Sequence, residues 1–323
     1  MGQPSSSDDR DREQAWTTYW HSGALHSCPT SFVGNYGGAI AEFWLAVARS
    51  LQPGMRILDL GTGNGPIPKL LVENAETPGL IEIDGVDAAQ VAPAWHLSAN
   101  APNVRFHSGV RMERVPFPPA TFDHVCSQFA IEYANAPAVW EETLRVLKYG
   151  GSLHWVMHHD ASVFAKVAAQ ERDHLQWLLQ PDGLLESAAA LAPWLLRLRK
   201  GDSLVAMSGE ANAIRQRFNF LQQEVEHRAS TMPLPGVLEE VRATLHAILG
   251  KAVTPVEVLG DYRLQLEESR LRSGDLVDRA LNDDDVGRLI GWLRDHRPNA
   301  TVEAVVLRQQ EGIVAWGVTL RDK

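Results

Sequence analysis

Apolar positions in this chain gather into short continuous runs set off by glycine and proline. Ile57, Leu58 and Leu60 follow Pro53-Gly54. Similar runs cover Leu80–Asp87, Val104–Gly109, His124–Phe129 and Leu153–His158. Runs of this length predict buried strands. Between them the apolar residues recur every three or four positions, over Gly38–Ala48, from Ile67 to about Glu76, over Ala88–Asn100 and over Pro137–Leu147. That spacing predicts helices with one buried face. Strand and helix in alternation predict a parallel sheet covered on both sides. From Asp160 to Leu259 no strand pattern appears. Helices are predicted over 161–179, 184–200, 211–228 and 235–249, broken at Pro181-Asp182-Gly183, Lys200-Gly201-Asp202 and Met232-Pro233-Leu234-Pro235. A further helix over Asn282–Leu293 carries Asp283, Asp284 and Asp285 at its start, where the helix dipole favours them. Thr301–Leu307 and Ile313–Leu320, joined through Gln309-Gln310-Glu311-Gly312, predict a closing strand pair.

The most informative stretch is the exit of the first strand, Asp59-Leu60-Gly61-Thr62-Gly63-Asn64-Gly65. Strand, glycine turn and helix in succession let a ligand approach bare backbone and a helix N-terminus. The glycines stand at every second position, whereas the dinucleotide fingerprint places its third glycine one residue later. Asp59 lies two residues ahead of the first glycine. Asp87 ends the second strand, where an acidic side chain in doubly wound folds accepts ribose hydroxyls. Asp84 is its rival, and a cap for the helix at Ala88–Asn100 is its alternative role.

The Asp-x-Gly-x-Gly-x-Gly string resembles the first motif of class I S-adenosylmethionine-dependent methyltransferases, and of the small-molecule, ubiquinone/menaquinone-methyltransferase-like type within them. Gly85-Val86-Asp87-Ala88 resembles the second motif. Val115-Pro116-Phe117-Pro118-Pro119-Ala120-Thr121-Phe122-Asp123 resembles the family's LPFPDASFD connection, and Arg145-Val146-Leu147-Lys148-Tyr149-Gly150-Gly151 its RVLKPGG turn. The resemblance covers roughly 51–159 and 282–323. It implies a doubly wound, seven-stranded, mostly parallel Rossmann-like sheet whose seventh strand is antiparallel. The implied cofactor is S-adenosyl-L-methionine, held by Asp59, Gly61, Thr62, Gly63, Asn64, Gly65, Asp87 and Ala88, with Gln128 and Phe129 beside the methionine part. Many relatives place Gly-Asp after the third strand. Here Gly109-Val110-Arg111 stands there, so backbone groups of Val110 and Arg111 are expected at the adenine, with Met112 nearby. The Asn-Pro-Pro-Tyr motif of base-amino methyltransferases is missing, which argues against nucleic acid as acceptor.

Composition narrows the class. The chain has 323 residues, 45% hydrophobic and 22% charged, with a net charge of −10 and no long basic run. Such a chain does not bind nucleic acid by charge alone. Two cysteines, Cys28 and Cys126, form neither a disulfide framework nor a zinc signature, so no metal is expected and a reducing, cytoplasmic setting is the simplest reading. No apolar run reaches membrane-spanning length.

The expected organisation is a disordered tail over 1–13, a helical cap over 14–50, the cofactor-binding domain over 51–159 and 260–323, and a helical insert or lid over 160–259. The cap mixes aromatics, hydroxyls and histidines (Trp16, Tyr19, Trp20, His21, then His26-Ser27-Cys28, then Ser31-Phe32-Val33 and Tyr36), as small-molecule pockets do. Tyr19, His21, His158 and His159 are therefore the candidate catalytic groups, the last two at the carboxyl end of the fifth strand. The expected activity is in-line methyl transfer to a small-molecule acceptor, with oxygen favoured over nitrogen or carbon. A homodimer through the helical insert is a further expectation. The alternatives are an inactive cofactor-binding protein and, against the glycine spacing, an NAD-type oxidoreductase.

Overall fold

Strand β1 (Arg56–Leu60) is an interior strand of a seven-stranded sheet, third from one edge, with all four residues after Arg56 buried. The computed structural model describes residues 7–27, 34–99, 101–202, 208–250 and 256–322. Cys28 and the expected pocket residues Ser31, Phe32 and Val33 lie outside them.

β1 pairs in parallel with β2 (Glu82–Asp87) on one side and β4 (Phe122–Gln128) on the other. β3 (Val104–Ser108) extends the β2 side. β5 (Leu147–Met157), β7 (Gly312–Arg321) and β6 (Thr301–Gln309) extend the β4 side, with β7 antiparallel to both neighbours. The order is β3-β2-β1-β4-β5-β7-β6. The chain therefore reverses direction across the sheet between β1 and β4, the crevice where such folds bind ligands.

Alternate residues of the strands feed two cores. On one face Ile57, Ile83, Cys126 and Val156 pack beneath α2 (Gly38–Ser50) and α3 (Pro66–Asn74), with Ile40 and Trp44 of α2 fully buried. On the other, Leu58, Val86, Val125 and Trp155 meet α5 (Ala136–Val146) and α11 (Asp283–His296). Each fully buried Leu, Ile or Val contributes about 1.5–3 kcal/mol relative to exposure.

The chain divides into two compact units, Met1–Lys166 with Asp275–Lys323, and Val167–Gly274. The second is helical, drawing on α6 (Val163–Leu178), α7 (Leu184–Arg199), α8 (Gly209–Thr231), α9 (Gly236–Gly250) and α10 (Val256–Arg279). It has its own core, built on Leu175, Leu191, Val225, Leu245 and Tyr262. Among the described residues no helix is long and apolar enough to cross a membrane.

Three expectations need correcting. The tail over 1–13 is not disordered throughout, because α1 (Ser7–His21) already includes Ser7–Glu13. Arg12 and Glu13 hold it there through Asp275 and Arg111. The helix expected over Ala88–Asn100 starts only at Ala94, as α4 (Ala94–Ala99). The Asp87 carboxylate captures the Ala89 N–H, and Pro93 keeps Ala92 out of helical geometry. Finally, α10 was not foreseen. Its apolar stripe is thin (Leu259, Tyr262 and Leu266), and the charged residues around it hide the period.

The start of α11 is an N-terminal capping box. Asn282 Oδ1 accepts from the N–H groups of Asp284 (2.9 Å) and Asp285 (3.0 Å), while Asp285 accepts from the Asn282 N–H at 3.0 Å. Asn282→Ala is expected to cost about 1 kcal/mol. Urea unfolding of the two proteins checks this, with a lower midpoint for the variant.

Candidate functional site

The turn after β1 is shaped by three glycines in the left-handed region, with φ of +65° at Gly61, +52° at Gly63 and +72° at Gly65. L side chains rarely adopt such values. What fills the space of their missing side chains differs from the expectation of a ligand against bare backbone. A Cβ at Gly61 would meet the Ala130 methyl at 2.3 Å, one at Gly63 the Trp20 indole at 2.6 Å, and one at Gly65 the Phe106 ring at 2.6 Å. The glycines let the protein's own side chains close on the loop.

Asp87, at the end of β2, holds this loop. Its Oδ2 accepts from the Gly63 N–H at 2.8 Å and its Oδ1 from the Ala89 N–H at 2.9 Å. Burial nevertheless pushes its carboxyl up to about 6. The rival Asp84 is taken up elsewhere, by Arg56, Arg105 and His107. Those partners hold its carboxyl below the usual range against the burial that opposes them.

Asp59 is 1% exposed, and among the described residues neither of its oxygens has a partner at good hydrogen-bond geometry. Burial pushes its carboxyl up to about 7; the adjacent Thr62 hydroxyl only partly offsets this, and the Asp87 charge adds to it. The Thr62 hydroxyl and Gln128 Nε2 are also buried without a partner, although Gln128 Oε1 accepts from Trp44 Nε1 at 2.6 Å. Buried polar atoms without partners cost free energy unless something meets them.

These groups face a cavity of about 1110 Å³. Of the expected cofactor residues, Asp59, Gly61, Thr62, Asp87, Ala88, Arg111, Gln128 and Phe129 line it. Gly63, Asn64, Gly65 and Val110 stand behind it. Asn64 is a tie rather than a lining residue. Its Nδ2 donates to the carbonyls of Trp20 (2.9 Å) and Ala24 (2.7 Å), and its Oδ1 accepts from the Ala92 N–H at 3.3 Å. The Val110 N–H donates to the Asp87 carbonyl at 2.9 Å.

The expected catalytic groups do not line this cavity. His21 is exposed at the end of α1. Tyr19 spends its hydroxyl on the His26 carbonyl at 2.9 Å. His158 is 1% exposed and stacks on Phe129, ring centroids 4.0 Å apart. Burial takes its imidazole down to about 3, so it is neutral at physiological pH. His159 stacks on Trp316 at 4.6 Å and pairs with Asp160.

Glu132 does line it, and the sequence reading missed it. It lies in a short 3-10 turn, Ile131–Tyr133, after β4. Oε1 accepts from the His158 N–H at 2.8 Å, while Oε2 is buried with no partner among the described residues. Burial raises its carboxyl to about 7, against the backbone hydrogen bonds that lower it. The available signal was one acid inside the apolar run Phe129-Ala130-Ile131-Glu132-Tyr133. Trp16 and Trp20 of α1 are also lining residues, stacked with centroids 5.5 Å apart, and Trp16 meets Tyr133 edge-on at 6.5 Å.

Asp87→Ala is expected to release the Gly63 and Ala89 N–H groups and weaken binding of S-adenosylhomocysteine by about 1–3 kcal/mol. Calorimetric titration checks this; unchanged affinity would remove Asp87 from the site.

A methyltransferase-domain family matches residues 57–151. The sterol methyltransferase-like 3 of Botryococcus braunii is 32% identical over 147 residues, 43% of this chain and 35% of the relative. The ubiquinone/menaquinone biosynthesis C-methyltransferase UbiE of Xanthomonas campestris is 31% identical over 113 residues, 34% of this chain and 44% of the relative. The chain thus spans less than half the length of these relatives. Among solved structures, the YcgJ protein from Bacillus subtilis is 27% identical, covering 44% of this chain and 58% of its own at a TM-score of 0.34. A SAM-dependent methyltransferase from Aquifex aeolicus is 18% identical, covering 49% and 76% at a TM-score of 0.35. S-adenosylmethionine, the cofactor of this domain type, carries an ammonium and a sulfonium, and the buried carboxylates of Asp59 and Asp87 suit that positive charge. The matched domain, the glycine turn and the strand order agree with one another: residues 57–151 of this chain are a methyltransferase domain, of the type that uses S-adenosylmethionine.

Proposed function

We propose that the protein transfers a methyl group to a small phenolic or enolic acceptor, with Glu132 as the base. The buried, half-partnered Glu132 carboxyl on the cavity wall carries this reading. The cofactor supplies, when bound, a methyl group already activated on a sulfonium, open to in-line displacement. Asp59, Thr62, Asp87 and Gln128 hold it, and Trp16 and Trp20 of α1 exclude water from one side.

The acceptor lies against Trp16, Tyr133 and the small side chains of Ala130 and Ala134. Glu132 takes its proton at Oε2. The His158 N–H keeps hold of Oε1, so the carboxyl has one oxygen fixed and one free for chemistry. A carboxyl raised to about 7 is matched to proton transfer at neutral pH. His158 stacks Phe129 and positions Glu132 through its backbone, in place of the catalytic role expected for its ring.

Deprotonating a phenol or enol activates both the oxygen and the adjacent carbon. The reading therefore accommodates the oxygen acceptor expected from sequence and the carbon acceptor in the name of the UbiE relative. Turnover with labelled donor against phenols, enols and amines, with products identified by mass spectrometry and NMR, tests it. Methylation confined to amines would overturn it.

Glu132→Gln is expected to lower turnover about 10²–10⁴-fold. S-adenosylhomocysteine should bind the variant as it binds the parent, which separates loss of the base from loss of the fold.

Donor affinity should depend on pH. The folded-state values of Asp59 and Asp87, about 7 and about 6, lie above their ordinary value of 3.8. Their ionised forms therefore cost stability in the empty protein above about pH 7, and that cost is relieved as pH falls through the two values. A bound cation favours the ionised forms. Affinity for S-adenosylmethionine should thus fall as pH drops from above about 7 to below about 6, while neutral adenosine changes less. Titrations across that range check it.

A further inference from the structure

The sheet face beneath α2 is apolar over β1 and β2 but changes character at the start of β4 and across β5 and β7. There His124 stands opposite Ser152, Ser152 opposite Arg321, and His154 opposite Thr319. Five polar side chains in register occupy a face that elsewhere carries Ile57, Ile83 and Val156. A cavity of about 490 Å³ opens above them, walled on the other side by Phe43, Val47 and Met55. It shares no lining residue with the cofactor cavity.

The floor is built rather than merely polar. His124 Nδ1 and His154 Nε2 lie 3.1 Å apart, at hydrogen-bond distance, and the two rings stack at 5.3 Å. His154 is 4% exposed, and its Nδ1 has no partner. Among the described residues no third His, Cys or carboxylate completes a metal shell, so the pair is a hydrogen-bonding device. Burial first, and then the charges of His124 and Arg321, keep the His154 imidazole neutral, with its value down at about 3. Whichever ring donates, His154 Nδ1 is left as a buried polar atom with nothing to meet it among the described residues, and in the tautomer in which His124 donates to Nε2 it carries a proton to offer.

The charges around the cavity are unequal. Asp123 is engaged by Lys148 at 2.9 Å and by the Arg56 N–H at 2.8 Å. Arg321 makes no ion pair among the described residues. Glu303, on the edge strand β6 opposite Thr319, also lines the cavity and makes no ion pair among the described residues. The result is an apolar helix wall facing a polar floor, with the guanidinium of Arg321 on β7 and the carboxylate of Glu303 on the edge strand beyond it.

We propose that this cavity is a second small-molecule site, which takes an aromatic carboxylate. The ring packs against Phe43 and Met55, and the carboxylate meets Arg321 and the donors of Ser152, Thr319 and His154. The site stands apart from the methyl-transfer reading and survives or fails without it.

Benzoate is the probe, with benzyl alcohol as the uncharged control. Calorimetry gives the affinity, and imidazole NMR signals of His124 and His154 report the place. Benzoate should bind with a Kd of about 1 mM or tighter. It should shift both imidazoles, while benzyl alcohol binds more weakly. Arg321 lies at the surface, so Arg321→Ala should fold normally and lower benzoate affinity about ten-fold or more. Arg321→Lys should keep part of the binding. S-adenosylhomocysteine should bind all three proteins alike. Equal binding of the two probes, no binding of benzoate, unshifted imidazoles or full affinity in Arg321→Ala would each overturn the proposal.

Discussion

The site depends on carboxylates kept out of water at the carboxyl ends of β1 and β2. Asp59 and Asp87 carry raised acidities because burial penalises their ionised forms. A protein tolerates that cost when a cation, or a set of N–H donors, answers it. Asp87 has its donors in Gly63 and Ala89; Asp59 has, among the described residues, only the Thr62 hydroxyl beside it. The difference separates a residue that shapes the loop from one whose carboxyl is left to the cavity. The sheet order puts both beside the crevice between β1 and β4, and the positive φ of three glycines bends the chain away without covering it.

Much of this was legible in the residues. The run Ile57–Leu60, the glycine turn and Asp87 placed the first two strands and the crevice. The apolar spacing of Asn282–Leu293 and of the last two strands placed the closing elements. Less legible was what depends on side chains meeting across long sequence distances. The roles of Gly61, Gly63 and Gly65 could be read as backbone freedom, but that Ala130, Trp20 and Phe106 fill the freed space could not. Asn64 looked like a ligand contact because it sits among the glycines, whereas its amide reaches back to α1. Histidines drew attention through their chemistry, yet His158 is stacked and neutral. Glu132 was passed over because an acid in an apolar run resembles a surface residue until its burial is known.

The helical unit Val167–Gly274 illustrates a different limit. Its helices α6 to α9 follow from regular apolar spacing. α10 escaped because a 24-residue helix with few core contacts looks, one window at a time, like solvated chain. Local periodicity registers the buried face of a helix and says little where that face is narrow.

Trp20 rests its indole where a side chain at Gly63 would stand, and Asn64 grips the carbonyl of that same tryptophan. The glycine turn therefore carries a natural optical reporter. Any rearrangement of the loop must change the environment of the Trp16–Trp20 stack, and with it the emission of those indoles. Two of the ten tryptophans in this chain thus sense the loop directly, and their share of the intrinsic emission changes with it.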